Sequence, residues 1–304
     1  MSTDSSLSDS ICAPCANCGK GEEKSDDLKA CTACIMVKYC NRECQIAHRP
    51  QHKKACKKRA AELHEAELFK DPPPPEECPI CMLPLPLQAD EVTFYSCCGK
   101  NVCIGCIVAM LDREGMNILC AYCRTPPSDT DEETIGRVNK LTEKGNGHAF
   151  YMLASYYAQG ILGLPQDEVR ANELYLKAGE LGCADAYYNL GNSYYYGRGV
   201  EVDKKKLMHY HERAAMKGHI TARHNLGMME GQAGNNQRAY KHLVIAARAG
   251  NKLSLDRVKK GYMHGQVTKE EYANTLREHQ KSQVEMTSKA RDKALTARNQ
   301  RMGG

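Results

Sequence analysis

Between residues 140 and 285, apolar positions recur with a long period laid over a helical one. Leu153, Leu190 and Leu226 lie 37 and then 36 positions apart in similar surroundings. Asn189-Leu190-Gly191 returns as Asn225-Leu226-Gly227, and Ala178 to Gly182 corresponds to Ala214 to Gly218 and to Ala246 to Gly250. A period in the thirties with two helical segments per unit signals a helical solenoid. Small Ala and Gly let paired helices approach closely, while Leu and Tyr fill the seam. The third unit is shorter because it lacks a segment like Gly197 to Val200, and a weaker fourth covers roughly 251–282. In the run Tyr194-Tyr195-Tyr196 at least one ring should face inward. Cys183 reads as a small buried residue.

Before position 124 this pattern is absent, and cysteine replaces it: 16 of the 17 cysteines lie there, leaving only Cys183 beyond. Residues 1–11 are polar and serine-rich and are expected to be disordered. The segment 12–56 holds one cysteine cluster. A linker over 57–77 follows, with strong helix formers over 57–70 and then Pro72 to Pro75, which favours an extended spacer. A second cluster fills 78–127. An acidic linker over 128–139 leads into the repeats, and 286–304 reads as a charged tail, a frayed helix at most. The fold class expected is multidomain: two small zinc-stabilised finger modules, irregular or α+β, then an all-α helical-repeat solenoid.

The polar opening MSTDSSLSDS shows no signal peptide, and no run of about 18 apolar residues suggests a membrane span. A cytoplasmic or nuclear location with reduced thiols is expected, and cysteines paired two residues apart then read as metal ligands. The first cluster runs Cys15-x2-Cys18, Cys31-x2-Cys34, Cys40-x3-Cys44-x3-His48-x3-His52-x3-Cys56. Two-residue gaps let both thiolates of a pair reach one ion from a tight turn. The spacing of four stacks ligands on a helical face, which Pro50 is expected to break into two pieces. A module of about 45 residues cannot bury enough apolar surface to fold alone. Metal binding of order 10 kcal/mol per zinc makes up the difference.

The second cluster pairs Cys78 with Cys81, Cys103 with Cys106 and Cys120 with Cys123, with Cys97 and Cys98 adjacent. Eight thiols suit two four-cysteine sites, so about four zinc ions per chain are expected in all. The formal charge of +5 counts thiols as neutral. Zinc-bound thiolates shift it by roughly −7, to near −2. That removes the charge argument for nucleic-acid binding. Lys53, Lys54, Lys57, Lys58 and Arg59 beside Cys56 fit a nuclear-localisation patch or a solvated face next to anionic thiolates.

Three resemblances add to this reading. The string YCNRECQIAHRPQHKKAC (39–56), with the two preceding CxxC pairs, resembles the MYND-type zinc finger. That family's interleaving implies one zinc on Cys15, Cys18, Cys40 and Cys44 and another on Cys31, Cys34, His52 and Cys56. His48 is then a supporting or exposed residue, while Cys12 is a competitor of Cys15 or Cys18 for a ligand position. The resemblance implies binding of short, often proline-containing peptides. The strings CPIC (78–81), SCCGKNVCIGC (96–106) and CAYCRTP (120–126) resemble the RING-type finger. This implies one zinc on Cys78, Cys81, Cys103 and Cys106. The other falls to Cys97, Cys98, Cys120 and Cys123, with Cys97 substituting for the usual histidine because Lys100 occupies that place. Adjacent cysteines chelate one ion awkwardly, so this last site is expected to be strained, weak or empty. Ile80 and Arg124 match positions that in the family contact a ubiquitin-conjugating enzyme and its ubiquitin, which is catalysis by positioning without a covalent active site. Ala121-Tyr122 and the absence of Trp depart from that pattern. Finally, the alanine-rich second helices and the loop GRGVEVDKKK (197–206) resemble the Sel-one-like repeats, relatives of the tetratricopeptide repeat, which implies a solenoid that binds other proteins. Two functions stay open: a ubiquitin ligase whose flanking modules recruit substrate, and a non-enzymatic scaffold. No nucleotide loop, nucleophile motif or catalytic residue is visible.

Overall fold

A computed structural model describes residues 14–20, 28–115 and 119–302. The expectations for residues 1–11 and for Cys12 fall outside these. The chain forms two compact units that meet in sequence between Lys70 and Asp71.

In the first unit, strand β1 (Lys29–Ala30) pairs antiparallel with β2 (Lys38–Tyr39), and helix α1 (Arg42–Leu68) follows. Asn41 caps α1 by accepting from the Cys44 amide at 2.8 Å. The expected break at Pro50 and the separate helix over 57–70 do not occur: α1 is one continuous helix with Pro50 inside it. Proline removes one backbone hydrogen bond and crowds the preceding turn. The helix survives because it is pinned on both sides of Pro50, through Cys44 on one side and His52 and Cys56 on the other. The buried residues of this unit are chiefly Cys15, Leu28, Cys31, Cys34 and Tyr39, so the ligands themselves form most of the core.

The second unit begins with the extended Pro72–Pro75 segment and an isolated bridge between Glu77 and Pro84. Strands β3 (Val92–Tyr95) and β4 (Lys100–Cys103) form an antiparallel hairpin in the register Val92↔Cys103 to Tyr95↔Lys100, and helix α2 (Ile104–Glu114) continues directly from it. The solenoid comprises α3 (Asp131–Glu143), α4 (Gly147–Gln159), α5 (Glu168–Glu180), α6 (Ala184–Tyr196), α7 (Lys204–Met216), α8 (Ile220–Gln232), α9 (Asn236–Arg248), α10 (Lys252–Met263) and α11 (Lys269–Met286). A last helix, α12, spans Lys289–Met302. Among the described residues no helix is long and apolar enough to cross a membrane.

Two segments differ from expectation. Part of the acidic run 128–139 belongs to α3 instead of a linker. Thr130 caps it by accepting from the Glu133 amide, Asp131 to Glu133 sit in its first turn where negative charge complements the helix dipole, and Val138 is fully buried. The charged tail is helical over 289–302 and docked on α2, not frayed. Arg291 and Ala294 are buried, and Lys293 Nζ lies 2.6 Å from Asp112 on α2. Charge alone hid this, because buried arginine and alanine look like solvated helix in sequence.

In the repeats, α4 packs on α5, α6 on α7 and α8 on α9, with Leu153, Leu190 and Leu226 buried at equivalent places. Of the tyrosine run, Tyr194 stacks on Tyr210 at 5.6 Å, while Tyr195 and Tyr196 are exposed. Close approach of α6 to α7 depends on Gly191: a Cβ there would lie 2.5 Å from the His211 ring. That ring is itself buried, which pushes its pKa down to about 4 and keeps it neutral at physiological pH. Gly191→Ala should therefore force the ring aside and cost about 1–3 kcal/mol. The expected result is a lower thermal midpoint in the full chain with helical circular dichroism retained at low temperature.

Candidate metal centres

Four of the cysteine pairs fold into the same local structure. In Cys15-x2-Cys18, Cys31-x2-Cys34, Cys78-x2-Cys81 and Cys120-x2-Cys123, the amide of the residue after the second cysteine donates to the carbonyl of the first. These are Gly19, Ile35, Met82 and Arg124, at 2.8–2.9 Å. All four have positive φ: 71°, 59°, 57° and 59°. Only Gly19 takes that conformation without steric cost. The first cysteine of each pair donates its own amide onward, to Lys20, Val37, Leu83 and Thr125. The result is a closed knuckle with both thiols projecting to one side. The fifth pair, Cys103 and Cys106, instead straddles the end of β4 and the first turn of α2.

These knuckles, the end of β2, α1, the tip of the β3–β4 hairpin and the junction of β4 with α2 bring the sixteen expected ligands into four groups: Cys15, Cys18, Cys40 and Cys44; Cys31, Cys34, His52 and Cys56; Cys78, Cys81, Cys103 and Cys106; and Cys97, Cys98, Cys120 and Cys123. Within each group every donor atom lies within 4.8 Å of the others. The donor sets fit zinc. Tetrahedral thiolates at about 2.3 Å from an ion stand about 3.8 Å apart. The Sγ–Sγ separations are 3.7 Å for Cys18–Cys40, 3.8 Å for Cys31–Cys56, Cys78–Cys106 and Cys81–Cys103, and 3.7 Å for Cys98–Cys120. None of these cysteines is in a disulfide. Electrostatics point the same way. The amides of Cys18, Cys40 and Asn17 hold the Cys15 pKa down to about 6, whereas the hydrogen bond that Cys40 donates to Cys44, with burial, pushes Cys40 up to about 12. One thiolate in the group suppresses ionisation of its neighbours until a cation joins them.

The group with adjacent cysteines is held by the tip of the β3–β4 hairpin. The amides of Cys98 and Gly99 both donate to the Tyr95 carbonyl, at 3.2 and 2.8 Å, and Gly99 closes the turn at φ 70°. This turn carries both thiols toward Cys120 and Cys123. Lys100 points elsewhere, its ammonium 5.3 Å over the Tyr122 ring. In the first finger His48 supports without ligating: its Nδ1 is 3.0 Å from the Tyr39 hydroxyl and its ring stacks on His52 at 5.6 Å. Ile80 is exposed between Cys78 and Cys81, and Arg124 is the positive-φ residue of its knuckle.

One residue of this site escaped the sequence reading. Arg291 of α12 donates through Nη1 to the Pro84 carbonyl at 2.8 Å and places Nη2 3.6 Å from Cys81 Sγ. A guanidinium against a four-thiolate site offsets its negative charge and fixes a ligand, as outer-shell groups do. It sits against Gly105 so closely that a Cβ on that glycine would meet the Arg291 backbone at 2.7 Å. No local pattern in sequence signals a partner 210 positions away.

Closed thiolate-rich sites followed by stacked helix pairs define a structural zinc-finger protein with a repeat solenoid. Comparison with known proteins gives the parts their names. Residues 15–56 match the MYND finger, and residues 148–183, 184–219 and 220–251 each match the Sel1 repeat. No RING family model matches the second cluster. Among curated proteins, the chain is 32% identical over 91 residues to an uncharacterized protein of Neisseria meningitidis serogroup B, covering 30% of this chain and 19% of that one. It is 32% identical over 113 residues to the ERAD-associated E3 ubiquitin-protein ligase component HRD3A of Arabidopsis thaliana, covering 34% and 16%. The chain thus spans less than a fifth of the length of these relatives. A Sel1 repeat protein from Oxalobacter formigenes superposes at TM-score 0.43 with 22% identity, over 59% of this chain and 71% of that one.

Protein purified without chelators should contain about four zinc ions per chain, two for each finger. Elemental analysis checks this, with Cys97→Ser and Cys34→Ser each expected to remove about one ion. Two ions or fewer in the parent would overturn the assignment of both cysteine clusters as zinc sites.

Proposed function

We propose that this protein is a non-enzymatic scaffold of the cytoplasm or nucleus, in which the finger at 15–56 and the helical repeats each hold a different protein partner. The observation that carries this reading is the joining of two module types that serve protein interaction, a MYND finger and Sel1 repeats. The sulfur-rich shells leave no coordination position for a substrate, so the zinc is structural. Tyr195, Tyr196 and Val202, exposed at the junction of α6 and α7, offer the repeats an apolar contact point.

A second reading, a RING-type ubiquitin ligase, is favoured by particular features of the second finger. Ile80 projects from the first knuckle, and Arg124 follows the last ligand directly. The likeness to HRD3A, described as a ligase component, is consistent with work near such enzymes. In this reading the finger positions a loaded conjugating enzyme, and catalysis consists of orientation alone.

Ubiquitin discharge from a panel of loaded conjugating enzymes separates the two. The scaffold reading expects no stimulation by fully metallated protein. The ligase reading expects stimulation that Ile80→Ala reduces by weakening enzyme binding about 1–3 kcal/mol. Arg124→Ala would then slow transfer while leaving binding of the uncharged enzyme nearly intact. Zinc content should be unchanged in both variants, since neither residue is a ligand.

A further inference from the structure

We infer that the solenoid carries a fifth metal site, built from His148, Cys183 and Asp185, separate from both fingers and suited to zinc or a similar transition ion. Their donor atoms lie within 4.8 Å of one another, the same closeness found in the four finger groups.

The repeat itself shows how these residues come to stand together. Asn146, Cys183, His219 and Asn251 occupy the same position, the cap at the start of α4, α6, α8 and α10. Three of them accept a hydrogen bond from the amide three residues on: Asn146 from Ala149, His219 from Ala222 and Asn251 from Ser254. Cys183 makes no side-chain cap, although it is only 3% exposed. His148 and Asp185 are likewise equivalent, each the second residue of its helix. Stacking of adjacent repeats thus gathers an imidazole, a thiol and a carboxylate at one point.

The surroundings match those of a metal ligand set. Glu76 Oε2 lies 3.4 Å from His148 Nε2, and His219 Nε2 lies 3.2 Å from Asp185 Oδ1. The His219 ring is held by stacking on Tyr188 at 4.4 Å. Paired carboxylates and imidazoles of this kind orient ligands or complete a shell. The thiol disfavours magnesium and calcium, and the sulfur, nitrogen and oxygen mixture suits zinc or cobalt. His148, Asp185, Glu76 and His219 line a groove of about 1020 Å³ that also contains Pro72 to Pro75. Three protein donors beside such a groove leave a coordination position for water or a partner's side chain, unlike the closed finger sites. The ion would tie the first repeat to the second and should be held more weakly than the finger zincs.

The test uses the full chain, equilibrated with micromolar free zinc, and measures metal content by difference. The parent should hold about one ion more than Cys183→Ala and about one more than Asp185→Ala. Because only the difference counts, the result does not depend on how many finger sites fill. Equal metal content in the parent and both variants would overturn the site. Circular dichroism checks the fold, and if Cys183→Ala proves misfolded the exposed Asp185→Ala decides. Cobalt then identifies the ligands. Added to parent dialysed until only the tighter finger sites keep their zinc, it should give a thiolate-to-cobalt absorption band that Asp185→Ala weakens and Cys183→Ala abolishes. Cobalt bound without that band would overturn the assignment of Cys183.

Discussion

Thiols crowded to within 4.8 Å of one another can ionise together only around a cation, and this requirement organises the described residues up to Cys123. The knuckle amides favour thiolate while the neighbouring thiols oppose it, so each group is frustrated until an ion enters. With that ion, four donors become a covalently strong centre to which short pieces of irregular chain attach. The fingers consequently need little apolar core. Cys15, Cys31 and Cys34 occupy the interior of the first, Cys78, Cys103 and Cys106 that of the second. The solenoid meets its folding cost in the ordinary way, by burying alanine, leucine and tyrosine between stacked helices.

Ligation also sustains backbone conformations that the sequence would otherwise resist. Ile35, Met82 and Arg124 occupy the left-handed region that β-branched or long side chains avoid. Pro50 lies within a helix that it should interrupt. In each case the disfavoured residue is next to, or between, ligands. The local penalty is small compared with the order of 10 kcal/mol that a structural zinc contributes.

The same contrast governs what could be read from sequence. Two-residue cysteine spacings and the return of Asn-Leu-Gly are local or periodic signals, and they led to the finger segments, the solenoid class and its register. Pro50 misled because local propensity ignores distant anchors. The acidic run after Ser128 looked like linker because its cap, Thr130, and its one fully buried residue, Val138, are separated by charge. The docking of α12 had no signal at all. Its determinants, Gly105 and Arg291, are unremarkable separately and meaningful only as a contact. The significance of Cys183 likewise needed the neighbouring repeat to bring His148 beside it.

The contact between Arg291 and the second finger also orders events in time. A ribosome releases residues 78–123 long before residues 289–302, with the whole solenoid in between. The finger can acquire its zinc as soon as Cys123 emerges, yet the guanidinium that flanks Cys81 is still unmade. During that interval the nascent chain carries a charged, uncovered cluster and an exposed face of α2. Vectorial synthesis therefore leaves Cys81 and that face of α2 uncovered until α12 has been made.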